Sequence, residues 1–352
     1  MIKKKMIIPI FVSHQGCPND CIFCNQKRIT GVKDTFDEAQ ICNLIESYLV
    51  DYNQDKIIEI AFFGGSFTGI NPIIQKNYLE IATRYITKYN LEGIRISTRP
   101  DYINEEILDL LLNYPVKAVE LGVQSLDEKV LQLSRRNHKV EDVYRAVSLI
   151  KKAPIELGLQ MMLGLPGDTL KKSIITANQI ISMNPKTTRI YPTVIMKDTE
   201  LETLYYKGEY TPLTLDEAID WTCQILPLFY NEDITVLRVG LQASEEVNLG
   251  KGIVAGPYHP AFRQLVEEKM LHEEIIKVYK NSGGMPLIIY ANQKAYQSLI
   301  GHKRKYKKII QKKGIPIEFK ITDKPITDEP ASMIFESEGK TLNDICIPKY
   351  FK

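Results

Sequence analysis

The chain of 352 residues is 44 % hydrophobic and 25 % charged, the balance of an ordinary globular protein, which excludes a disordered, collagenous or membrane-embedded chain. Lys plus Arg number 45 against 43 Asp plus Glu, a formal net charge of +2, so any affinity for nucleic acid or acidic lipid has to come from a local patch. Six cysteines are too few for a disulfide scaffold, and three of them fall between positions 17 and 24, which points to metal or redox chemistry in a reducing compartment.

The first apolar run, Met6–Ser13, reads as a strand. It follows three lysines, but it is interrupted by Pro9 and far shorter than the roughly 20 apolar residues of a spanning segment. The expected location is the cytoplasm, with no membrane partner. Helical periodicity follows over Thr35–Asp51, and the alternation then repeats. Strand Ile57–Phe63 precedes a helix after Pro72, Gly93–Thr98 precedes one at Asn104–Asn113, and Ala118–Val123 precedes helical material through Asp127–Lys152. The last units are Ile155–Met162 with a helix over Thr169–Ser182, and Thr188–Val194 with a helix over Leu215–Tyr230. Six strand–helix units at this spacing predict a parallel α/β protein, either a doubly wound sheet or a barrel, with its chemistry at the carboxyl ends of the strands.

Past about residue 240 the alternation breaks at Gly250-Lys251-Gly252, Gly256-Pro257 and Gly283-Gly284. Helices are expected at His259–Tyr279 and Lys294–Lys312, and strands at Met285–Tyr290, Ile315–Ile321 and Ala331–Glu336. The division is therefore a core at 1–240, with its cysteine loop at 14–30, and a small α/β domain at 241–352.

The loops after the predicted strands hold, in order, three cysteines, Gly64-Gly65-Ser66, Ser97-Thr98-Arg99-Pro100-Asp101, Gln124-Ser125 and Gly164-Leu165-Pro166-Gly167. Any one glycine among them also reads as an ordinary turn residue; five polar loops at one rim favour a site. Cys17, Cys21 and Cys24 have the spacing Cys-x3-Cys-x2-Cys. Three thiolates hold a four-iron cubane with one iron open to an outside ligand. The alternatives are a zinc knuckle closed by His14 and a set of buried free thiols. Cys42, Cys223 and Cys346 are isolated and read as small buried apolar residues.

This spacing after the first strand of a repeated βα protein resembles the signature of the radical S-adenosylmethionine (SAM) superfamily. The resemblance implies a partial (βα)6 barrel, a [4Fe-4S] cluster on Cys17, Cys21 and Cys24, and SAM chelated at the open iron. Reductive cleavage of SAM then yields a 5′-deoxyadenosyl radical, with an electron donor such as a ferredoxin or flavodoxin. It also implies Phe23 near the adenine, and a Gly64-Gly65-Ser66 backbone that holds the methionine amino group, with Ser66 where the family has glutamate. Ser97 and Arg99 stand where the family places groups for the ribose or the methionine carboxylate. Glu120 and Gln124 meet ribose hydroxyls or substrate, and a charge at Glu120 within an apolar strand has to be paired. Arg136 is a candidate for a bidentate contact to the methionine carboxylate, or else an exposed helix-end arginine. Gln160, with Met161 and Met162, lines the fifth strand, and Gly164 belongs to the adenine-side loop. No catalytic residue is singled out.

Within that superfamily, several stretches are similar to the catalytic subunit of Elongator, which modifies tRNA wobble uridine. They are Phe63-Gly64-Gly65-Ser66-Phe67, Thr98-Arg99-Pro100-Asp101-Tyr102, Glu120-Leu121-Gly122-Val123-Gln124-Ser125, Arg136-Asn137-His138, Ile190-Tyr191-Pro192-Thr193-Val194-Ile195 and Leu237-Arg238-Val239. The tail offers only Val247-Asn248-Leu249-Gly250-Lys251-Gly252 toward an acetyl-CoA loop, so an Elongator-like core without acetyltransferase activity is expected, acting on a tRNA base. The other similarity is to oxygen-independent coproporphyrinogen oxidases, which share Gly-Val-Gln-Ser and Gly-Leu-Pro-Gly but carry a further cysteine where this chain has Gln26. A small metabolite, porphyrin or peptide substrate is the alternative, and a non-catalytic metal-containing RNA-binding protein the third reading. The oligomeric state is left open.

Between His302 and Gly314, Lys303, Arg304, Lys305, Lys307, Lys308, Lys312 and Lys313 give seven cations and no anion, with Tyr306 among them. That run is either an RNA contact or a solvated helix face. Tyr258, His259 and Arg263 are candidates to close over the active site, or parts of an ordinary helix start.

Overall fold

The computed structural model describes residues 4–12, 17, 21–25, 36–50, 56–244, 247–321, 333–337 and 340–341. His14, Gln26 and Cys346 lie outside these. In chain order the elements are β1 (Lys4–Phe11), α1 (Glu38–Leu49), β2 (Lys56–Phe63), α2 (Pro72–Tyr89), β3 (Gly93–Thr98), α3 (Glu105–Leu112), β4 (Val116–Gln124), α4 (Glu128–Leu133), α5 (Val140–Ile150), β5 (Glu156–Leu163), α6 (Leu170–Ser182) and β6 (Thr187–Pro192). There follow β7 (Ile195–Met196), α7 (Glu200–Tyr206), α8 (Leu215–Asn231), β8 (Thr235–Val239), β9 (Ile253–Ala255), α9 (Phe262–Asn281), β10 (Leu287–Ala291), α10 (Gln293–Ile300), α11 (Lys305–Lys312), β11 (Ile317–Ile321), β12 (Met333–Ser337) and β13 (Lys340–Thr341). The described residues fall into two compact units, 1–218 with 231–260, and 219–230 with 261–352.

In the first unit seven strands pair in the order β1-β2-β3-β4-β5-β6-β8, every pair parallel. The order never reverses, so there is no switch point of the doubly wound kind, and the sheet curls as an open half-barrel. A seventh strand, Thr235–Val239, extends the six predicted from sequence.

Local chemistry explains where most helices begin. Asp37 accepts from the Gln40 backbone while the Gln40 side chain accepts from the Asp37 backbone, a capping box. Asn71 caps α2 with Pro72 at its first position, and Asn104, Asp127 and Thr169 cap α3, α4 and α6. The predicted helical stretch Asp127–Lys152 is two helices, because Arg135 and Asn137 adopt left-handed backbone at φ 49° and 59°, which no helix continues.

Strand alternation sorts the two faces of the sheet. Ile8, Ile10, Ile58, Ile60, Phe62, Ile94, Ile96, Val119, Leu121, Leu159 and Met161 are almost wholly buried, and Phe62 stacks on Tyr78 of α2 with centroids 5.7 Å apart. That face is the apolar core under the helices. The opposite face carries charge: Glu59, Arg95, Glu120 and Arg189. Arg95 is fully buried and bonds Glu59 through Nε at 2.8 Å and Nη2 at 3.2 Å, and Glu120 through Nη1 at 3.3 Å. Glu120 in turn accepts from Arg189 at 2.5 Å and 3.0 Å, and the Arg189 guanidinium lies 5.0 Å from the Phe63 ring centre. Burial works against the charge on Arg95, yet the hydrogen bonds and charge of Glu59, with Glu120 and Glu156, hold it above the ordinary arginine value. The inside of the half-barrel is thus braced by alternating charges across β2, β3, β4 and β6.

The second unit holds a four-stranded sheet in the order β11-β10-β12-β13, with β10 parallel to β11 and antiparallel to β12. Leu271, Ile275, Ile289, Ala291, Ala295 and Leu299 form its core. The helix expected over Lys294–Lys312 is broken after Ile300 by Gly301 at φ 73° and by left-handed Lys303 and Arg304. Among the described residues no helix is long and apolar enough to cross a membrane.

Candidate active site

Cys17, Cys21 and Cys24 follow β1, at the carboxyl end of the barrel. Cys21 is buried and the other two are half-buried. The Cys24 backbone N–H closes a turn onto the Cys21 carbonyl at 3.0 Å, and the Ile22 N–H reaches the Ser134 carbonyl at 3.3 Å. On the far side the Leu201 N–H donates to the Ile22 carbonyl at 2.8 Å, and Asn25 Nδ2 donates to the Lys197 carbonyl at 2.9 Å. Ile22 packs with Ile195, Leu201 and Tyr210, and Phe23 lies partly buried against them.

Two arginines converge on the thiols. Arg136 donates through Nη2 to the Gly122 carbonyl at 2.6 Å and places Nη1 3.5 Å from Cys21 Sγ. Arg99 holds Asp101 through Nε at 2.9 Å and Nη2 at 2.8 Å, and reaches the Arg136 carbonyl at 2.8 Å. Both are buried, and neither is the exposed helix-end residue that Arg136 alone suggests. Gly122 makes room for Arg136: a Cβ there would stand 2.8 Å from Arg136 Nη2 and 2.9 Å from Gln124 Nε2. Burial raises the Cys17 thiol above its ordinary range, while Arg136 and then Arg99 pull it down.

The remaining expected residues divide by what their side chains touch. Ser66 is fully buried; its hydroxyl bonds Thr98 Oγ1 at 2.8 Å and accepts from the Arg99 backbone at 3.2 Å. That leaves the backbone of Gly64, at φ 87°, and Gly65 to face a ligand. Ser97 is half-buried and pairs in register with Glu120. Glu120 sits four residues before the end of β4 with both oxygens held by Arg95 and Arg189. Gln124 has φ 67° and accepts from Gln160 Nε2 at 3.3 Å. The Gly164 N–H donates to Asp168 at 2.9 Å, and its carbonyl accepts from the Tyr210 hydroxyl at 2.6 Å. Burial raises Asp168 above the usual carboxylate range against the bonds from Ser173, Gly164 and Thr169. Tyr258 packs into an apolar cluster with Val194, Met196, Val247 and Ile253, and Arg263 pairs with Glu267 at 2.8 Å.

Sequence reading missed Glu59, Arg95, Arg189, Asp168 and Tyr210. The signal for the first two was a charge in mid-strand between apolar neighbours, Ile58-Glu59-Ile60 and Ile94-Arg95-Ile96, and for Arg189 a charge in mid-strand between Thr188 and Ile190. Asp168 and Tyr210 left none, since a polar loop residue is ordinary.

His138 is 3 % exposed, with the Val123 backbone as its one weak polar neighbour among the described residues. Burial, then Arg136 and Arg99, push it down to about 2 from 6.5. A proton is therefore taken up in the unfolded state below about pH 6.5 but not in the native state. The stability this residue contributes is complete above that pH and is lost toward acid, by about 1.4 kcal/mol per pH unit. Urea titrations from pH 7 to 5 should show a shallower acid loss for His138→Gln than for the parent chain, and parallel curves would remove His138 as the cause.

The sequence profile of the Radical SAM superfamily matches residues 11–178, and that of the Radical_SAM C-terminal domain residues 185–272. The chain belongs to the radical SAM superfamily. It is 31 % identical to an uncharacterized protein of Methanocaldococcus jannaschii, over 60 % of this chain and 68 % of that one. It is 32 % identical to the tRNA uridine(34) acetyltransferase of Methanocaldococcus infernus over 38 % of this chain. To Elongator complex protein 3 of Saccharomyces cerevisiae it is 29 % identical over 51 % of this chain. The matches span only 26 % and 32 % of those two relatives' lengths. The solved structure of archaeal Elp3 from M. infernus, with an N-terminal deletion, shares the fold at a TM-score of 0.60 and 24 % identity, covering 80 % of this chain and 64 % of that one.

Members of this superfamily are enzymes, and membership implies a [4Fe-4S] cluster and SAM. The donor set here fits them. Three thiols lie beside two buried guanidinium groups whose Arg99 Nη1 and Arg136 Nε have no partner among the described residues. Positive charge and unsatisfied donors suit an anionic thiolate-held cluster and a carboxylate-bearing cofactor. Among the described residues no three His, Cys, Asp or Glu converge on one metal ion; a cubane takes its thiolates on separate irons and so needs a wider set.

Proposed function

We propose that this radical SAM enzyme modifies an RNA base, a tRNA uridine, with Cys17, Cys21 and Cys24 holding the cluster. When bound, the cluster supplies the electron that cleaves SAM, and the 5′-deoxyadenosyl radical so released takes a hydrogen atom from the substrate. The rest falls to the chain. Arg136, fixed by the Gly122 carbonyl, lies along the Cys21 sulfur, and its Nε together with Arg99 Nη1, both without a partner among the described residues, would receive the methionine carboxylate. The Gly64-Gly65 backbone serves the methionine amino group. Gln160 and Gln124, hydrogen-bonded to each other, with Ser97 serve the ribose side, while Phe23 and the Gly164 loop border the adenine. Glu120 acts through Arg189, setting the polarity of the barrel floor.

The observation that carries the reading is the pair of buried arginine donors beside the cysteine trio that are unsatisfied among the described residues, and the tRNA substrate draws its support from the named relatives. Chain reconstituted with iron and sulfide without oxygen, then reduced with dithionite in the presence of SAM, should release 5′-deoxyadenosine. Mass spectrometry of tRNA nucleosides from cells with and without the protein should differ by one modified uridine. Absence of 5′-deoxyadenosine defeats the enzyme chemistry; identical nucleosides defeat the tRNA substrate.

A further inference from the structure

We propose that Lys303–Lys313, centred on helix α11, is the surface that grips the phosphodiester backbone of the RNA substrate; this rests on the RNA reading above. Lys303, Arg304, Lys305, Lys308, Lys312 and Lys313 are exposed and Lys307 is half-exposed. Several other described cations of this unit are paired: Arg263 with Glu267, Lys277 with Glu274 and Lys320 with Glu318, within 2.8 to 3.3 Å. Along this stretch the chain supplies no acid, and Lys303, Arg304, Lys307, Lys308, Lys312 and Lys313 form no ion pair among the described residues.

The arrangement opposes the local preferences of the backbone in three ways. Lys303 and Arg304 adopt left-handed conformations at φ 51° and 60°, a region that favours glycine or asparagine. Lys305, Lys307 and Lys308 crowd positive charge into the first turn of a helix, where its dipole is already positive. Lys308 and Lys312 are like charges four residues apart on one ridge of the helix. Conflict between local preference and residue choice is expected where function holds the residues in place.

The stretch is also anchored from beneath. Tyr306 is buried and stacks on His272 with centroids 4.5 Å apart, and Ile310 is buried. Glu268, itself buried, accepts from the His302 backbone N–H at 2.7 Å. With Tyr306 turned inward, no aromatic is left outside to stack a base, so the surface suits phosphates and not sequence. Lys308 and Lys312 stand about 6 Å apart along the helix, comparable to the interval between successive phosphates of an RNA strand. An anionic membrane fits less well, because Tyr306 and Ile310 are buried, Ile309 is half-buried, and the exposed positions carry no apolar side chain to insert.

The test is fluorescence anisotropy of labelled tRNA with the full chain over a range of KCl, repeated with vesicles containing phosphatidylserine. The parent should lose affinity linearly in log salt. The triple variant Arg304→Ser, Lys308→Ser, Lys312→Ser should bind about tenfold more weakly at low salt, with a slope shallower by roughly two to three. Its Tm should not fall, since the change removes repulsion. The double variant Lys277→Ser, Lys320→Ser, on paired lysines, should match the parent. A steep parent slope left unchanged by the triple variant would overturn this surface while leaving the tRNA reading standing. Binding of vesicles and not of tRNA, lost in the triple variant, would make the partner a membrane and overturn it too. So would a parent that binds neither. The nucleoside comparison decides the substrate independently.

Discussion

Cys24→Ala should yield a protein without the brown colour of the reconstituted parent, with iron falling from about four per chain toward zero. Three thiolates are the fewest that hold a cubane while leaving one iron for SAM, and two leave a further iron without a protein ligand. The same result is expected at Cys17 and Cys21, and 5′-deoxyadenosine release should vanish with the iron. Cys223 is the internal control. It is buried, and burial pushes its thiol up to about 12, which makes it a poor thiolate ligand; Cys223→Ala should keep its iron. Loss of iron in both variants would point to general misfolding, and full iron in Cys24→Ala would refute the ligand set.

The second large effect concerns the charged floor of the barrel. Arg95→Leu removes from Glu59 the guanidinium that bonds both its oxygens, with the Glu59 and Arg95 side chains 3 % and 0 % exposed. Breaking a buried ion pair by removing one partner costs about 3–5 kcal/mol. Replacing both partners, Glu59→Leu with Arg95→Leu, should recover most of that loss, because Glu120 keeps its two bonds to Arg189 and the new side chains extend an apolar wall. Urea unfolding at pH 7 measures both. Equal or additive destabilisation in the double variant would show that the pair contributes directly to stability instead of answering its own desolvation.

Much of this molecule was legible before any coordinates because its information is local. Strand Gly93–Thr98 coincides with the expected residues, since alternation around Ile94 and Ile96 is a pattern of period two. Helix starts at Asn104 and Thr169 follow from side chains that satisfy the first free N–H groups. The cysteine motif needs only its spacing. Strand Thr235–Val239 was missed as an element because it is short and half-exposed, and its strand character comes from pairing with β6. Two helices expected as continuous were broken by left-handed Arg135, Asn137, Lys303 and Arg304; of these the arginines and the lysine are types that usually extend a helix.

Read as a string, the protein already declared its parallel βα plan, its cluster loop and the superfamily to which that loop belongs. Folding settled matters of distance. Glu120 reads in one dimension as a charge awaiting a ligand, whereas strand register sets Arg95 and Arg189 against it and closes it off. Arg136 reads either as a ligand contact or as a helix-end cation, whereas the glycine at 122 lets it lie, buried, beside Cys21. Residues 25 to 115 positions apart acquire partners only when the sheet curls, and in a buried site the choice of partner decides whether a charge braces the wall or meets the ligand.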